Sequence, residues 1–215
     1  MGEELLKEIQ PLDPRDREKL EIPLCEGELL ATLKKMKPQS APGPDGLTVG
    51  FWLHHREYLL PILARVGEAI GKTQRLPNSM RAGLIRLIYK GKGDPADPDK
   101  YRPIALLPVH LKVFTKAWAE RWKPMLNLRL SPQQSGFLSG RQPGENVRIA
   151  QDSWELFKRQ KRKGSWMFLY FQKAYDRVSW TWLKRVVEAW QPGKLFLDWL
   201  QLSTQRAIPW ASGDI

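Results

Sequence analysis

Three groups of side chains in this sequence have types and spacings that could do chemistry. The stretch Met167–Val178, MFLYFQKAYDRV, carries the phenols of Tyr170 and Tyr175 and ends near Asp176 and Arg177. Its apolar, aromatic start predicts a buried β-strand over Trp166–Phe171. Gln172–Val178, with Lys173 and Ala174 leading to Asp176, predicts the entry to a helix. Just before it, Lys158, Arg159, Lys161, Arg162 and Lys163 place five cations in six residues. Such a run suits the negative end of a helix macrodipole; it is equally suited to holding phosphates or to standing solvated. The third group is Lys90 and Arg102, which flank a polar Gly- and Pro-rich stretch between two apolar runs.

The elements that must position these groups can be read along the chain. Glu3–Gln10 predicts a short helix, which Pro11–Arg17 interrupts with turn chemistry. Glu26–Lys37 predicts an amphipathic helix, with Leu29, Leu30, Leu33 and Met36 on the packed face and Lys34, Lys35 and Lys37 off it. Ser40-Ala-Pro-Gly-Pro-Asp-Gly-Leu-Thr48 predicts a rigid loop. Phe51–Gln74 predicts a helix broken near Pro61. Inside it, Gly67–Thr73 imitates a phosphate-binding loop, but its glycines are too close and it follows a helical pattern rather than a strand. It is set aside. Ala82–Tyr89 and Tyr101–Leu107 predict an antiparallel hairpin with a basic loop. Leu111–Leu126 predicts a helix whose Leu111, Phe114, Trp118 and Trp122 form one apolar stripe for the core. Asn146–Lys163 predicts a helix ending in the cation cluster. Helices follow over Ser179–Trp190 and Leu195–Gln205, separated by Pro192-Gly193, with a strand near the end.

Charge narrows the function class. A net charge of +12 points to a polyanionic partner, most simply nucleic acid. The 42% hydrophobic and 27% charged residues are globular proportions. The single Cys25 excludes a disulfide framework within the chain and suits an intracellular, reducing compartment. No apolar run is long enough for a membrane span, and MGEELLKEIQ lacks the apolar core of a signal peptide.

Several stretches, taken together, resemble the reverse transcriptase domain of non-LTR (LINE-type) retrotransposons. From Leu169 the chain reads L-Y-F-Q-K-A-Y-D-R-V, where the family's motif A is L-D-F-E-K-A-F-D-R-V. The hairpin reads I-Y-K-G-K-G-D-P and then Y-R-P-I-A-L-L, similar to the family's motifs 1 and 2. The A-P-G-P-D-G loop before it, and Gln134-Ser-Gly-Phe137 with Gly140-Arg141 after it, also match. Gln142 and Pro143 depart from the family's usual Ser-Thr. The resemblance covers the chain almost end to end from about Glu21.

The resemblance implies an α/β (α+β) fold, helix-rich, with a β-hairpin in the fingers and a palm strand, ending before motifs B and C. It divides the chain into a lead segment over 1–25, a fingers-like region over 26–165 and a partial palm over 166–215. It implies that Lys90, Arg102, Gln134, Arg141 and Tyr175 lie toward a nucleotide, with Arg102 and Lys90 facing its triphosphate. The planar fork of an arginine fits that task. The family uses Mg2+ and a deoxynucleoside triphosphate, but Tyr170 stands where the first metal-binding Asp belongs. Two-metal nucleotidyl transfer needs hard anionic oxygens, and a phenol is ordinarily protonated at pH 7. The expectation is therefore no catalytic residue and no bound metal, with RNA or an RNA/DNA hybrid as partner. An RNA-rich assembly, or a second polymerase chain supplying motifs B and C, are the settings in which such a module would act. An active split or longer enzyme, or a remnant without function, are the alternatives.

Overall fold

The computed structural model describes residues 2–165, 167–204 and 208–210. Met1, Trp166, residues 205–207 and 211–215, and the side chains of Asp176 and of residues 208–210, lie outside the described residues.

The longest element, α7 (Val109–Arg129), would span about 30 Å as an ideal helix. Leu111, Phe114 and Trp118 recur at three- and four-residue spacing and are buried, as the pattern predicts, and Trp122 is partly buried beside them. Helix α3 (Glu26–Lys34) packs against it with Leu29 and Leu33 fully buried. Glu28, in the first turn of α3, accepts the N–H of Cys25 at 3.1 Å and so satisfies an orphan donor at the helix start. Helices α4 (Val49–His54) and α5 (Arg56–Thr73) replace the single kinked helix expected over Phe51–Gln74. The break falls at His55, where φ and ψ are −98° and 20°, and Pro61 stays inside α5. A proline in the second turn removes one hydrogen bond, and packing of Leu60, Leu63 and Ile70 outweighs that loss. Gly67 lies where α5 meets α7: a Cβ there would sit 2.8 Å from Phe114 Cε1. Its lack of a side chain serves close packing, which accounts for a glycine in a segment that only imitates a phosphate loop.

The first 25 residues are tied into this core. Helix α1 (Gly2–Lys7) forms where a helix is expected but stops three residues short of Gln10, and Pro11–Arg17 is not simply a break. Asp13 accepts the N–H of Arg15 at 3.0 Å and Pro14 opens α2 (Pro14–Glu21). An Asp at the N-cap followed by Pro in the first position is a helix-start signal, and the turn reading overlooked it. Leu12, Leu20 and Leu24 are buried in the same cluster as α7. Helices α9 (Trp180–Ala189) and α10 (Lys194–Thr204) close that cluster through Val187, Phe196, Trp199 and Leu202. Phe196 stacks on Trp122 with centroids 4.6 Å apart.

A short α6 (Asn78–Arg81) leads into β1 (Ala82–Tyr89), which pairs antiparallel with β2 (Tyr101–Leu106) from Leu84↔Leu106 to Tyr89↔Tyr101. Strand β3 (Ile208–Trp210) lies parallel on the other side of β1. Beyond Leu84 the hairpin leaves the core, and Ile85, Leu87 and Ile88 are exposed. Helix α8 (Pro143–Arg159) begins three residues earlier than its pattern suggests, with Pro143 in its first turn, and buries none of its side chains.

The buried strand expected at Trp166–Phe171 is not formed over its described residues. Met167–Phe171 have no regular secondary structure and stand open, Tyr170 at 91% exposure. A strand is stable only when its N–H and C=O groups pair across a ladder. Among the described residues no segment lies beside this one to supply that ladder. The helix entry expected after it is a 3-10 turn over Tyr175–Arg177.

Candidate functional site

Strand register decides which cations share a surface. Ile88 faces Arg102 and Arg86 faces Ile104 across the ladder. Side chains alternate with period two, so Arg86, Ile88 and Lys90 lie on one face with Arg102 and Ile104. Arg86 was not singled out in the sequence, although its spacing from Lys90 contained the signal. Among the described residues neither the Arg86 nor the Arg102 side chain has a hydrogen bond or ion pair, and both residues are exposed. The opposite face carries Ile85, Leu87, Pro103 and a Tyr89–Tyr101 contact at 5.4 Å.

The loop joining the strands is tied by its own hydrogen bonds and is less basic than expected. Asp94, Asp97 and Asp99 balance Lys92, Lys100 and Lys90. Asp97 accepts the N–H of Asp99 at 2.9 Å, and Asp94 accepts that of Ala96 at the same distance. The Asp99 backbone hydrogen bond holds the Asp97 carboxyl below its usual range, with Lys100 adding to the effect. Lys90 Nζ donates to Asp99 O at 2.6 Å, so part of its donor capacity closes the loop. Gly91 and Gly93 take φ of +74° and +91°, the left-handed region open to glycine.

Two contacts bring distant stretches to this loop. Lys173 Nζ lies 3.4 Å from Asp99 Oδ1, joining the residues after Tyr170 to the hairpin tip. Tyr175 meets Phe137 edge to face with centroids 6.1 Å apart. Gln134, in the same connecting segment as Phe137, is exposed and donates to Gly136 O at 3.3 Å.

Arg141 is placed differently from the other expected nucleotide neighbours. Its guanidinium donates to Asn127 O at 2.7 Å, Gln134 O at 2.9 Å and Leu130 O at 3.1 Å, and also to Ser131 O. These carbonyls belong to the end of α7 and the loop after it. A cation there satisfies orphan acceptors at the negative helix end. The fork is thus engaged by the chain itself.

The base of the hairpin is fixed by the Pro- and Gly-rich loop. A Cβ on Gly43 would lie 2.5 Å from Pro108 N, so only glycine allows that loop to rest on the end of β2 and the start of α7. Lys112 Nζ donates to Ala41 O at 3.0 Å. Asp45 Oδ2 sits 3.6 Å from Nδ1 of buried His110. Burial lowers the His110 pKa, and Asp45 and a backbone hydrogen bond with Ser79 offset only part of that.

The cation cluster stands apart. Lys158 and Arg159 close α8, and Lys161, Arg162 and Lys163 follow it, all exposed. Among the described residues no hydrogen bond, ion pair or ring contact joins the cluster to the hairpin or to Tyr175.

Comparison with known proteins identifies the family. The model of the family described as "Reverse transcriptase (RNA-dependent DNA polymerase)" matches residues 89–211, from the hairpin to β3. The chain is 32% identical over 199 residues to the "Transposon TX1 uncharacterized 149 kDa protein" of Xenopus laevis, covering 93% of this chain and 15% of that protein. It is 28% identical over 186 residues to the "RNA-directed DNA polymerase from mobile element jockey" of Drosophila funebris, covering 85% of this chain and 19% of that protein. A transposon X-element protein of Drosophila melanogaster, a "Probable RNA-directed DNA polymerase", is 26% identical over 172 residues, covering 79% of this chain and 19% of that protein. The chain thus spans less than a fifth of the length of these curated relatives. By its matched residues this chain belongs to the reverse transcriptase (RNA-dependent DNA polymerase) family, in its non-LTR, LINE-type retrotransposon branch.

Proposed function

We propose that the chain is a nucleic-acid-binding module of reverse transcriptase descent that does not itself carry out nucleotidyl transfer. The observation that carries the reading is Tyr170. It occupies the motif A position of the metal-binding aspartate, by residue-for-residue resemblance, and stands 91% exposed. The residues present do not fit a Mg2+ site at that position: the ion wants carboxylate and water oxygens in octahedral array, and a phenol lacks the second oxygen and the bidentate reach of a carboxylate. What the chain retains is a surface for polyanions. Arg86 and Arg102 are unengaged on one hairpin face, and the net charge is +12. Its partner on this reading is RNA or an RNA/DNA hybrid, and its role is that of a scaffold within an RNA-containing assembly.

Primer extension tests the first half. On an RNA template with Mg2+ or Mn2+, the chain should add no nucleotide. Incorporation that disappears with Arg102→Ala would overturn the reading. Binding to a labelled RNA should exist and fall steeply with salt; binding indifferent to salt would count against it.

A second reading is favoured by one observation. Among the described residues, Met167–Phe171 present an apolar run to solvent with no strand paired to it. Such a run suits a segment that pairs with strands of a longer or second polymerase chain. Primer extension by the unaltered chain, Tyr170 included, once it is joined to or mixed with a chain that supplies motifs B and C would support it.

A further inference from the structure

The end of α8 builds a cleft that neither the hairpin nor Tyr170 uses. Gln160 N donates to Leu156 O at 3.0 Å, Lys161 N to Lys158 O at 3.1 Å and Arg162 N to Phe157 O at 3.1 Å. The last two bonds, with Lys161 at φ +50°, form a left-handed helix stop of the Schellman type. Glycine usually occupies that position, and here a lysine does. The stop turns Arg162–Ser165 back along the helix. Gly164 comes to rest against the Phe157 ring, where an added Cβ would lie 3.3 Å from Cε1.

The returning chain encloses a cleft of about 400 Å3 lined by Trp154, Phe157, Lys158, Arg162, Lys163, Gly164 and Ser165. Its two aromatic residues, Trp154 and Phe157, are 46% and 37% exposed although they are large and apolar. Lys158 Nζ lies 5.5 Å from the Trp154 ring centroid. Three of the lining residues are cations and none is an acid. Flat rings beside cations are what an unpaired base and its phosphate require: stacking serves any base, and charge holds the backbone. A duplex hides its base faces and could use only the cations.

We infer that this cleft is a binding site for single-stranded nucleic acid, in which a base stacks on Trp154 and Phe157 and the adjoining phosphates lie on Lys158, Arg162 and Lys163. The inference rests on the proposal that the chain binds RNA and adds where and in what form. The charge complementarity of an acid-free cleft selects this occupant.

The test uses the full chain and fluorescence anisotropy with a labelled 12-nucleotide oligouridine, beside a labelled RNA duplex of the same length. Trp154→Ala and Phe157→Ala should each weaken single-strand binding roughly tenfold and leave duplex binding unchanged. Replacing Lys158, Arg162 and Lys163 by Gln should lower the slope of log K against log salt by about 2 for the single strand. Because α8 buries no side chain, these variants should keep the parent's circular dichroism and melting temperature. Wild-type binding that ignores both ring substitutions overturns the cleft and leaves the binding module standing. Equal losses on single strand and duplex also overturn it, because stacking would not be the cause. No RNA binding by the wild type overturns both. Binding to phosphatidylserine vesicles that depends on Trp154, with oligouridine binding unaffected by its loss, would assign the cleft to a lipid surface and sink the proposal.

Discussion

The carboxylate of Glu21, the last residue of α2, accepts the backbone N–H groups of Lys194 and Leu195 at the start of α10. It caps a helix from far away in the chain and places negative charge at the positive end of that helix. The contact is possible because residue 193 is glycine. Gly193 takes φ +97°, and a Cβ there would fall 2.0 Å from Glu21 Oε1.

Gly193→Ala should therefore destabilise the chain by about 2 kcal/mol or more, since it adds both backbone strain and a collision. Glu21→Ala removes only the cap and should cost about 1 kcal/mol. Urea denaturation reads both. Equal stability of Gly193→Ala and the parent would show that the α2–α10 contact does not hold in solution.

Arg121 ties α7 to the N-terminal residues. Its Nε lies 2.6 Å from Glu28 Oε1, and it donates to the carbonyls of Lys19 at 3.0 Å, Pro23 at 3.1 Å and Ile22. Its guanidinium also lies 5.1 Å from the Trp118 ring centroid. Arg121→Ala leaves the part-buried Glu28 carboxylate without its fork of donors, and frees three more exposed carbonyls, and should cost about 2 kcal/mol. Arg121→Lys keeps the charge but not the planar fork, so it should recover only part of that loss in the same measurement.

His110 predicts a pH dependence. Burial lowers its pKa in the folded chain from the ordinary 6.5. The unfolded chain then binds more protons near that pH, so the contribution is present above about 6.5 and is lost as pH falls through the lower folded value. The urea midpoint should decline on acidification below pH 6.5, and His110→Gln should flatten that decline. A second decline belongs to Glu120, whose pKa is lowered to about 2 by hydrogen bonds from Lys123 and Lys35. Its contribution is intact above about pH 4.5 and lost toward pH 2, and solvent screening keeps it small.

The hairpin arginines and Arg141 should separate by assay. Arg86→Ala and Arg102→Ala remove unengaged cations from one exposed face, so each should lower the RNA salt slope by about 0.7 with little change in stability. Arg141 spends its donors on carbonyls at the end of α7. Arg141→Ala should instead destabilise the chain by about 2 kcal/mol and leave the slope alone. A slope change from Arg141→Ala with unchanged stability would return that residue to the nucleic-acid surface.

By itself the sequence determined what depends on neighbours in the chain. The 3.6-residue stripe of Leu111, Phe114 and Trp118 marked α7, and two apolar runs around a glycine-rich turn marked the hairpin to within a residue. The tyrosine at 170 needed no fold to be read. Tertiary structure decided what depends on partners brought from afar. Arg86 joins Arg102 only through strand register, because cross-strand pairing is not written in either strand alone. Arg141 and Glu21 bind backbone groups that become orphans only once α7 and α10 exist. Met167–Phe171 have every propensity of a strand, yet a strand is a pairing between segments. Composition can favour an extended backbone, but only a neighbouring ladder can satisfy its hydrogen bonds.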